Sequence, residues 1–217
     1  MFAKSNDRQP LELPLWATKI LIVAGIYVVS STLYFLINDF NAGKPGALLG
    51  LPIDDIIPFR PNWIWPYYAY YPILALPIFF VKTREELYRG GFAYAVGCIV
   101  TSAFFLFWRT EMIRPEVTGF DVSSDLVRLT YCRDNPFNCF PSQHVTYSYI
   151  AAFITLRLNK KFGVFAIIFA TIIALSTLFV KQHWFVDFPS GVAVAGLAYF
   201  LAYKTNIVGK LGLLGNH

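Results

Sequence analysis

Apolar residues in this chain come in long runs separated by short polar connections, and run length decides what each can be. A helix needs about 20 residues to cross roughly 30 Å of hydrocarbon. Six runs approach that length: Thr18–Ile37, Pro66–Val81, Gly91–Trp108, Val145–Leu158, Phe162–Val180 and Phe185–Tyr203. The second is short and interrupted by Pro72 and Pro77. The fourth is marginal, and the turn Pro141-Ser142-Gln143-His144 extends it at its start. The pattern predicts an all-α protein: a bundle of six transmembrane helices with an extracytoplasmic active-site loop. The first run follows a polar lead without an A-x-A-like cleavage site, so it reads as a retained helix rather than a signal peptide.

Charge gives the layout a test that hydrophobicity did not supply. With the N-terminus inside, the inner segments carry Lys4, Arg8, Lys19, Lys82, Arg84, Arg89, Arg157, Lys160, Lys161, Lys204 and Lys210, eleven of the eighteen cations. That is the bias cytoplasmic loops show. The expected location is therefore a multi-pass protein of a bacterial inner (plasma) membrane, both termini cytoplasmic, with the outer face carrying the site. Composition agrees. Only 14% of residues are charged, against about a quarter in soluble domains, and mean hydropathy is +0.51. The net charge of +5 comes without a basic tail, which argues against nucleic acid and for anionic headgroups. Residues 1–217 form one integral membrane domain, with a catalytic core at about 91–203.

Between the first two spans, Trp63, Trp65, Tyr67, Tyr68, Tyr70 and Tyr71 suit an interfacial aromatic belt. The outer loop Arg109–Pro141 is long and without evident structure, and such loops are usually functional or disordered. Polar groups with chemical purpose gather here and after the fifth run. They are Arg114-Pro115 in "RTEMIRPEV", Pro141-Ser142-Gln143-His144, and His183 with Asp187 in "STLFVKQHWFVD". All three clusters fall on the outer face of the six-span layout.

On a helix, residues four apart share a face, so Asp187 can accept a proton from one ring nitrogen of His183. The other nitrogen then keeps its lone pair outward, as a nucleophile or base. His144 can act as the acid that protonates a leaving oxygen. Two imidazoles with Arg114 and Lys181 nearby suit displacement at phosphorus, where negative charge spreads over equatorial oxygens. Ser142 and the backbone N–H groups around Gln143, at a helix start, add neutral donors.

These residues resemble the type 2 phosphatidic acid phosphatase superfamily, whose members share an Arg-Pro motif, a Pro-Ser-Gly-His motif and a Ser-Arg-x5-His-x3-Asp motif. "FPSQH" followed by "HWFVD" looks most like the branch of inositol phosphorylceramide synthases and related bacterial enzymes. The resemblance implies metal-independent phosphoryl transfer without a cofactor. His183 would form a phosphohistidine, Asp187 would orient it, and His144 would protonate the leaving alcohol. Arg114 and Ser142 would hold phosphate oxygens. Three positions depart from the pattern. The first-motif Lys falls on Phe107, the Gly between Ser and His is Gln143, and the third-motif Arg falls on Thr177. Lys181 or Arg109 is the available replacement cation.

Cys132 and Cys139 bracket "RDNPFN" on the outer side, where a disulfide would persist. Cys98 reads as a packing residue. Glu111, Glu116, Asp121 and Asp125 read as a solvated face rather than a metal site, and His217 as a solvated tail residue. The expected substrate is a lipid phosphate or polyprenyl diphosphate. Hydrolysis is the first reading, and transfer of the phosphoryl headgroup to an alcohol is the second. A non-catalytic lipid transporter is the alternative of another class, but it would need polar groups spread through several spans.

Overall fold

A computed structural model describes residues 13–213. Lys4, Arg8 and His217 lie outside them. The described chain is all-helical in class, with 71% helix and 2% strand. In order it runs α1 (Leu15–Asn41), β1 (Ala47–Leu48), α2 (Pro52–Ile56), α3 (Ile64–Tyr68), α4 (Tyr70–Ala75), α5 (Arg84–Phe107) and β2 (Thr110–Glu111). It continues with α6 (Val122–Arg133), α7 (Gln143–Leu158), α8 (Lys160–Phe179), α9 (Asp187–Tyr203) and α10 (Ile207–Lys210). Turns of 3-10 helix occupy Pro61–Trp63 and Leu76–Phe79. β1 and β2 pair in parallel over two residues, Ala47 with Thr110 and Leu48 with Glu111.

Three helices, α1, α5 and α8, are long and apolar enough to cross a membrane. Their boundaries follow local chemistry. Thr83 caps α5 by accepting the Glu86 N–H, and the Glu86 carboxylate in turn accepts the Thr83 N–H, a reciprocal capping box. Asn159 separates α7 from α8, and its side chain accepts the Phe162 N–H.

The second apolar run is not a single helix. Its path divides into α3, α4 and the 3-10 turn at Leu76–Phe79. Pro72 and Pro77 each lack the N–H that a continuous helix would need. The segment 109–141 is also more ordered than the sequence suggested. Asp121 accepts the N–H groups of Ser123 and Ser124 and so starts α6, where Asp125 pairs with Arg128.

The core is built around α7, which packs against α4, α5, α8 and α9. Tyr147, Ile150, Ala151, Ala152, Ile154 and Thr155 are buried almost completely. Small residues let the neighbours approach. Gly191, Ala195, Ala198 and Ala202 are the buried positions of α9 after Asp187, a spacing of three to four that suits close helix contact. At Gly191 a Cβ would stand 2.8 Å from Val145 Cβ and 2.9 Å from the Ser142 carbonyl oxygen, so a side chain there would push α9 off the start of α7. Outward, Ile20, Leu21, Val28 and Leu36 of α1 and Val164, Phe165 and Ile168 of α8 are exposed. Apolar area on that scale marks an interaction surface, and hydrocarbon suits it.

The two ends of the bundle are held differently. At one end Lys19 donates to the Ile78 carbonyl, Arg89 to the Ala202 carbonyl and to Glu85, and Arg157 lies over the Tyr203 ring. At the other end buried asparagines do the tying. Asn38 exchanges hydrogen bonds with Asn135 at 3.1 Å, Asn41 donates to the Phe105 carbonyl, and Asn138 to the Tyr34 carbonyl. Asn38 and Asn138 are paired at both ends of the amide, which avoids the cost of a buried unpaired polar group. Asn41, by contrast, donates twice, and its Oδ1 is buried without a partner among the described residues.

Candidate active site

The asparagine-tied end is where α1 and α5 finish and where α7 and α9 begin. The three polar clusters of the sequence meet there. Ser142 is the N-cap of α7, its hydroxyl oxygen accepting the Val145 N–H at 3.3 Å. Its own N–H donates to the Asp187 carbonyl at 3.3 Å. The second and third clusters are therefore joined through the backbone before any side chain is considered.

His183 lies in the turn between α8 and α9, not on a helix face. Its N–H donates to the Thr177 carbonyl at 3.3 Å. Asp187 opens α9, and its Oδ2 stands 3.1 Å from His183 Nδ1 while also accepting the Trp184 N–H at 3.0 Å. The spacing of four thus brings the pair together through a closed turn. Both side chains are buried. Burial holds the His183 pKa down to about 3, opposed by a hydrogen bond with the Cys139 backbone and reinforced by the Arg114 charge. The imidazole is accordingly neutral at ordinary pH, the form in which a ring nitrogen can attack.

His144, in the first turn of α7, presents its ring edge-on to that of His183, with centroids 5.8 Å apart at 69°. Tyr67 and Tyr70 clamp it, their ring centroids 4.6 and 4.5 Å away. Sequence reading put these tyrosines in an interfacial belt. Trp65 and Tyr71 do stay well exposed, but Tyr67 and Tyr70 are buried, because the α3–α4 bend turns them inward over His144.

Arg114 reaches the third cluster rather than open space. It donates to the Asp134 carbonyl at 2.5 Å, to the Asn135 carbonyl at 3.4 Å and to Gln182 Oε1, and it lies over the Tyr131 ring. Lys181, at φ +51°, donates to the carbonyls of Asp54 and Ile57 at 3.0 and 2.7 Å. In this arrangement its ammonium is engaged by the α2 segment. Gln143 points its amide at Thr101 of α5, 3.2 Å away. Arg109 also stays apart, lining a recess with Pro45, Leu106, Phe107 and Trp108.

The cysteines correct the expected bridge. Cys132 and Cys139 are both free. Cys132 is exposed on α6, whereas Cys139 is buried beside Met112 and Trp184 with its thiol toward the Pro136 carbonyl. Burial pushes the Cys139 thiol pKa up, which leaves it unreactive.

Sequence reasoning missed two acids. Asp54 accepts the Leu51 and Phe185 N–H groups at 2.8 and 2.7 Å and so braces the turn that carries His183. Asp134 is buried at the end of α6 and accepts the Tyr34 phenol at 2.9 Å. Burial, more than the opposing pull of Arg114, lifts its pKa to about 6. The "RDNP" turn was the available signal for it. A cavity of about 340 Å³ opens between α1, α3–α4 and α6, and its wall includes His144 and Asp134 but not His183.

A family model described as the PAP2 superfamily matches residues 59–207. That stretch includes all three clusters and the tyrosines around His144. No curated protein and no solved structure matches the chain.

Proposed function

This chain belongs to the PAP2 superfamily, and from that premise we propose that it is a membrane lipid phosphatase using His183 as a covalent nucleophile. Members are generally phosphatases or phosphotransferases and generally act on phosphorylated lipids. The observation that carries the reading is the contact of the His144 and His183 rings, 5.8 Å apart, with Asp187 held against the far nitrogen of His183.

The steps follow from that arrangement. Asp187 keeps the proton on Nδ1, so Nε2 carries the lone pair that forms a bond to phosphorus. The bond from phosphorus to the lipid alcohol breaks, and His144 delivers its proton to the departing oxygen. Water then attacks the phosphohistidine, giving its proton to His144, and phosphate leaves as the P–N bond breaks. Arg114, near enough to bear on His183, favours the negative charge that grows on the phosphoryl oxygens. Backbone N–H groups at the start of α7 and the Ser142 hydroxyl add donors there. Each step is acid–base and nucleophilic, so neither a metal nor a cofactor enters the scheme.

The charge pattern extends the proposal to topology. Lys19, Arg84, Arg89 and Arg157 gather at the end opposite His183, and the positive-inside bias makes that end cytoplasmic. The site then faces the outer leaflet. Six crossings follow if α7, α9 and the α3–α4 path traverse the bilayer beside α1, α5 and α8. α7, with 16 residues, rises roughly 24 Å, so it would need thinning or irregular ends to do so.

Purified protein in detergent should release phosphate from a panel of lipid monophosphates and diphosphates in the presence of EDTA. His183→Ala should abolish that release while leaving the protein folded. Release that needs added metal, or that survives in His183→Ala, would overturn the proposal.

A further inference from the structure

Gln182 carries a donor that the fold does not use. Among the described residues, five buried side-chain polar atoms lack a hydrogen-bond partner, and only two of them are nitrogens, Gln182 Nε2 and Arg114 Nε. Both belong to one bonded unit, because an Arg114 terminal nitrogen donates to Gln182 Oε1. We propose that Gln182 is a further phosphoryl ligand of this site, its amide N–H donating to an oxygen of the group that His183 attacks. This inference rests on the His183 reading above and adds a residue to it.

The direction of the amide follows from its neighbour. A guanidinium only donates, so the end of the Gln182 side chain that meets Arg114 is its oxygen. The NH2 group is the end left over. Backbone contacts then fix where that end is carried. The Thr177 carbonyl accepts the N–H groups of both Gln182 and His183, at 2.9 and 3.3 Å, which pins the two residues to the end of α8 as one turn. Each is only 5% exposed.

A donor in such a place has given up water without a replacement, at the full cost of its desolvation. Native proteins hold few such groups, and a catalytic role or a bound ion is a recurrent reason for them. Two unpaired N–H donors on one bonded pair, adjoining the nucleophile in the chain, call for an acceptor. An ionised phosphoryl oxygen only accepts.

The other candidates in this turn are occupied. The third-motif Arg of the family falls on Thr177, whose hydroxyl donates to the Ala174 carbonyl at 2.8 Å and so is bent back on its own helix. The Lys181 ammonium is engaged by the α2 segment. The Gln182 amide has hydrogens to give. Negative charge spreads over the equatorial oxygens in the transition state, and a donor already oriented in a dry site meets it without reorganisation.

The chain has three glutamines, Gln9, Gln143 and Gln182, so full-length protein in detergent, isotope-labelled at the glutamine side-chain nitrogen, gives three NH2 pairs by NMR. Gln182→Met identifies its pair by the loss. Orthovanadate, an anion that mimics five-coordinate phosphorus, is the probe. Titration should move the Gln182 pair downfield and slow its exchange with water, saturating over the range that inhibits phosphate release from a lipid monophosphate. Gln182→Glu still offers Arg114 an acceptor but has no hydrogen for the anion at neutral pH, and Gln182→Met offers neither. Both variants should need at least about ten-fold more vanadate for half-inhibition, the scale of one hydrogen bond to a charged group. Gln182→Glu should keep the thermal stability of wild type. Gln182 signals that stay in place across the titration, or wild-type vanadate inhibition in either variant, would overturn the assignment. Labelled phosphoenzyme is measured in parallel on wild type; its absence would instead overturn the His183 reading beneath it.

Discussion

Ser142 and Asp187 are joined by a backbone hydrogen bond of 3.3 Å, from the N–H that precedes α7 to the carbonyl that opens α9. Gly191 keeps that contact short, since any Cβ there would meet the Ser142 carbonyl and Val145. The two imidazoles are held in register by this seam, and side-chain chemistry at the site depends on it. Gly191→Leu should therefore cost roughly 1–3 kcal/mol, the range for overpacking a tight core, and lower turnover more than the stability loss alone explains. Thermal unfolding in detergent and initial rates on the same preparation check both.

Asp187→Asn tests orientation. The amide cannot accept the His183 ring proton with a carboxylate's charge, and it can favour the wrong tautomer. In a Ser-His-Asp triad the equivalent change costs about 10⁴ in kcat. A fall in kcat of roughly 10³–10⁴ with little change in KM is expected here, read from steady-state rates.

Arg114→Ala should destabilise the protein by roughly 2–4 kcal/mol. The carbonyls of Asp134 and Asn135 and the Gln182 amide oxygen would lose their donor in a buried place, and each unsatisfied group costs about 1–3 kcal/mol before relaxation. Arg114→Lys should recover only part of this, because one ammonium cannot reproduce a fork that serves both clusters. Denaturant or thermal unfolding of the three proteins measures it.

Lys181→Met separates two roles for that cation. Its ammonium is engaged by the Asp54 and Ile57 carbonyls. The variant should lose stability by roughly 1–2 kcal/mol while its KM keeps the ionic-strength dependence of wild type. A KM that rises several-fold and loses its salt dependence would return Lys181 to the phosphate site.

Acid should weaken the fold through His183. A folded-state pKa of about 3 against an ordinary 6.5 means the unfolded chain takes the proton first. The stability is present above about 6.5 and is lost as pH falls toward 3. Between pH 7 and 5 the loss is about 2 kcal/mol, at 1.36 kcal/mol per unit. Asp134, raised to about 6, acts the other way as pH falls through 6 toward its ordinary range. The clean readout is therefore the difference in acid dependence of unfolding between wild type and His183→Gln, which should show the smaller loss.

Legibility in the sequence followed period and length. The long apolar runs became α1, α5 and α8, and the second and third polar clusters met at one end because two helices, α7 going and α8 returning, separate them. His183 and Asp187 met as their spacing allowed, although a turn rather than a helix face brings them together. What stayed hidden depended on tertiary contact. Nothing local says that Tyr67 and Tyr70 turn inward over His144 while Tyr71 remains outside; that follows from the bend imposed around Pro72 and Pro77. The carbonyls of Asp54 and Ile57 that engage Lys181 lie in and just after α2, far away along the chain, so no local pattern announces them. The Cys132–Cys139 bridge failed for the same kind of reason. α6 carries one thiol outward, and the turn after it buries the other.

The central claim is that one imidazole bonds to phosphorus while the other moves the proton, and rapid quenching tests it most directly. With a radiolabelled aryl phosphate, whose leaving group needs no proton, wild type should show a base-stable, acid-labile label. His144→Asn should accumulate more of it, because the second half still lacks its base, and His183→Ala should show none. Label that persists in His183→Ala, or that is acid-stable in wild type, would contradict the account.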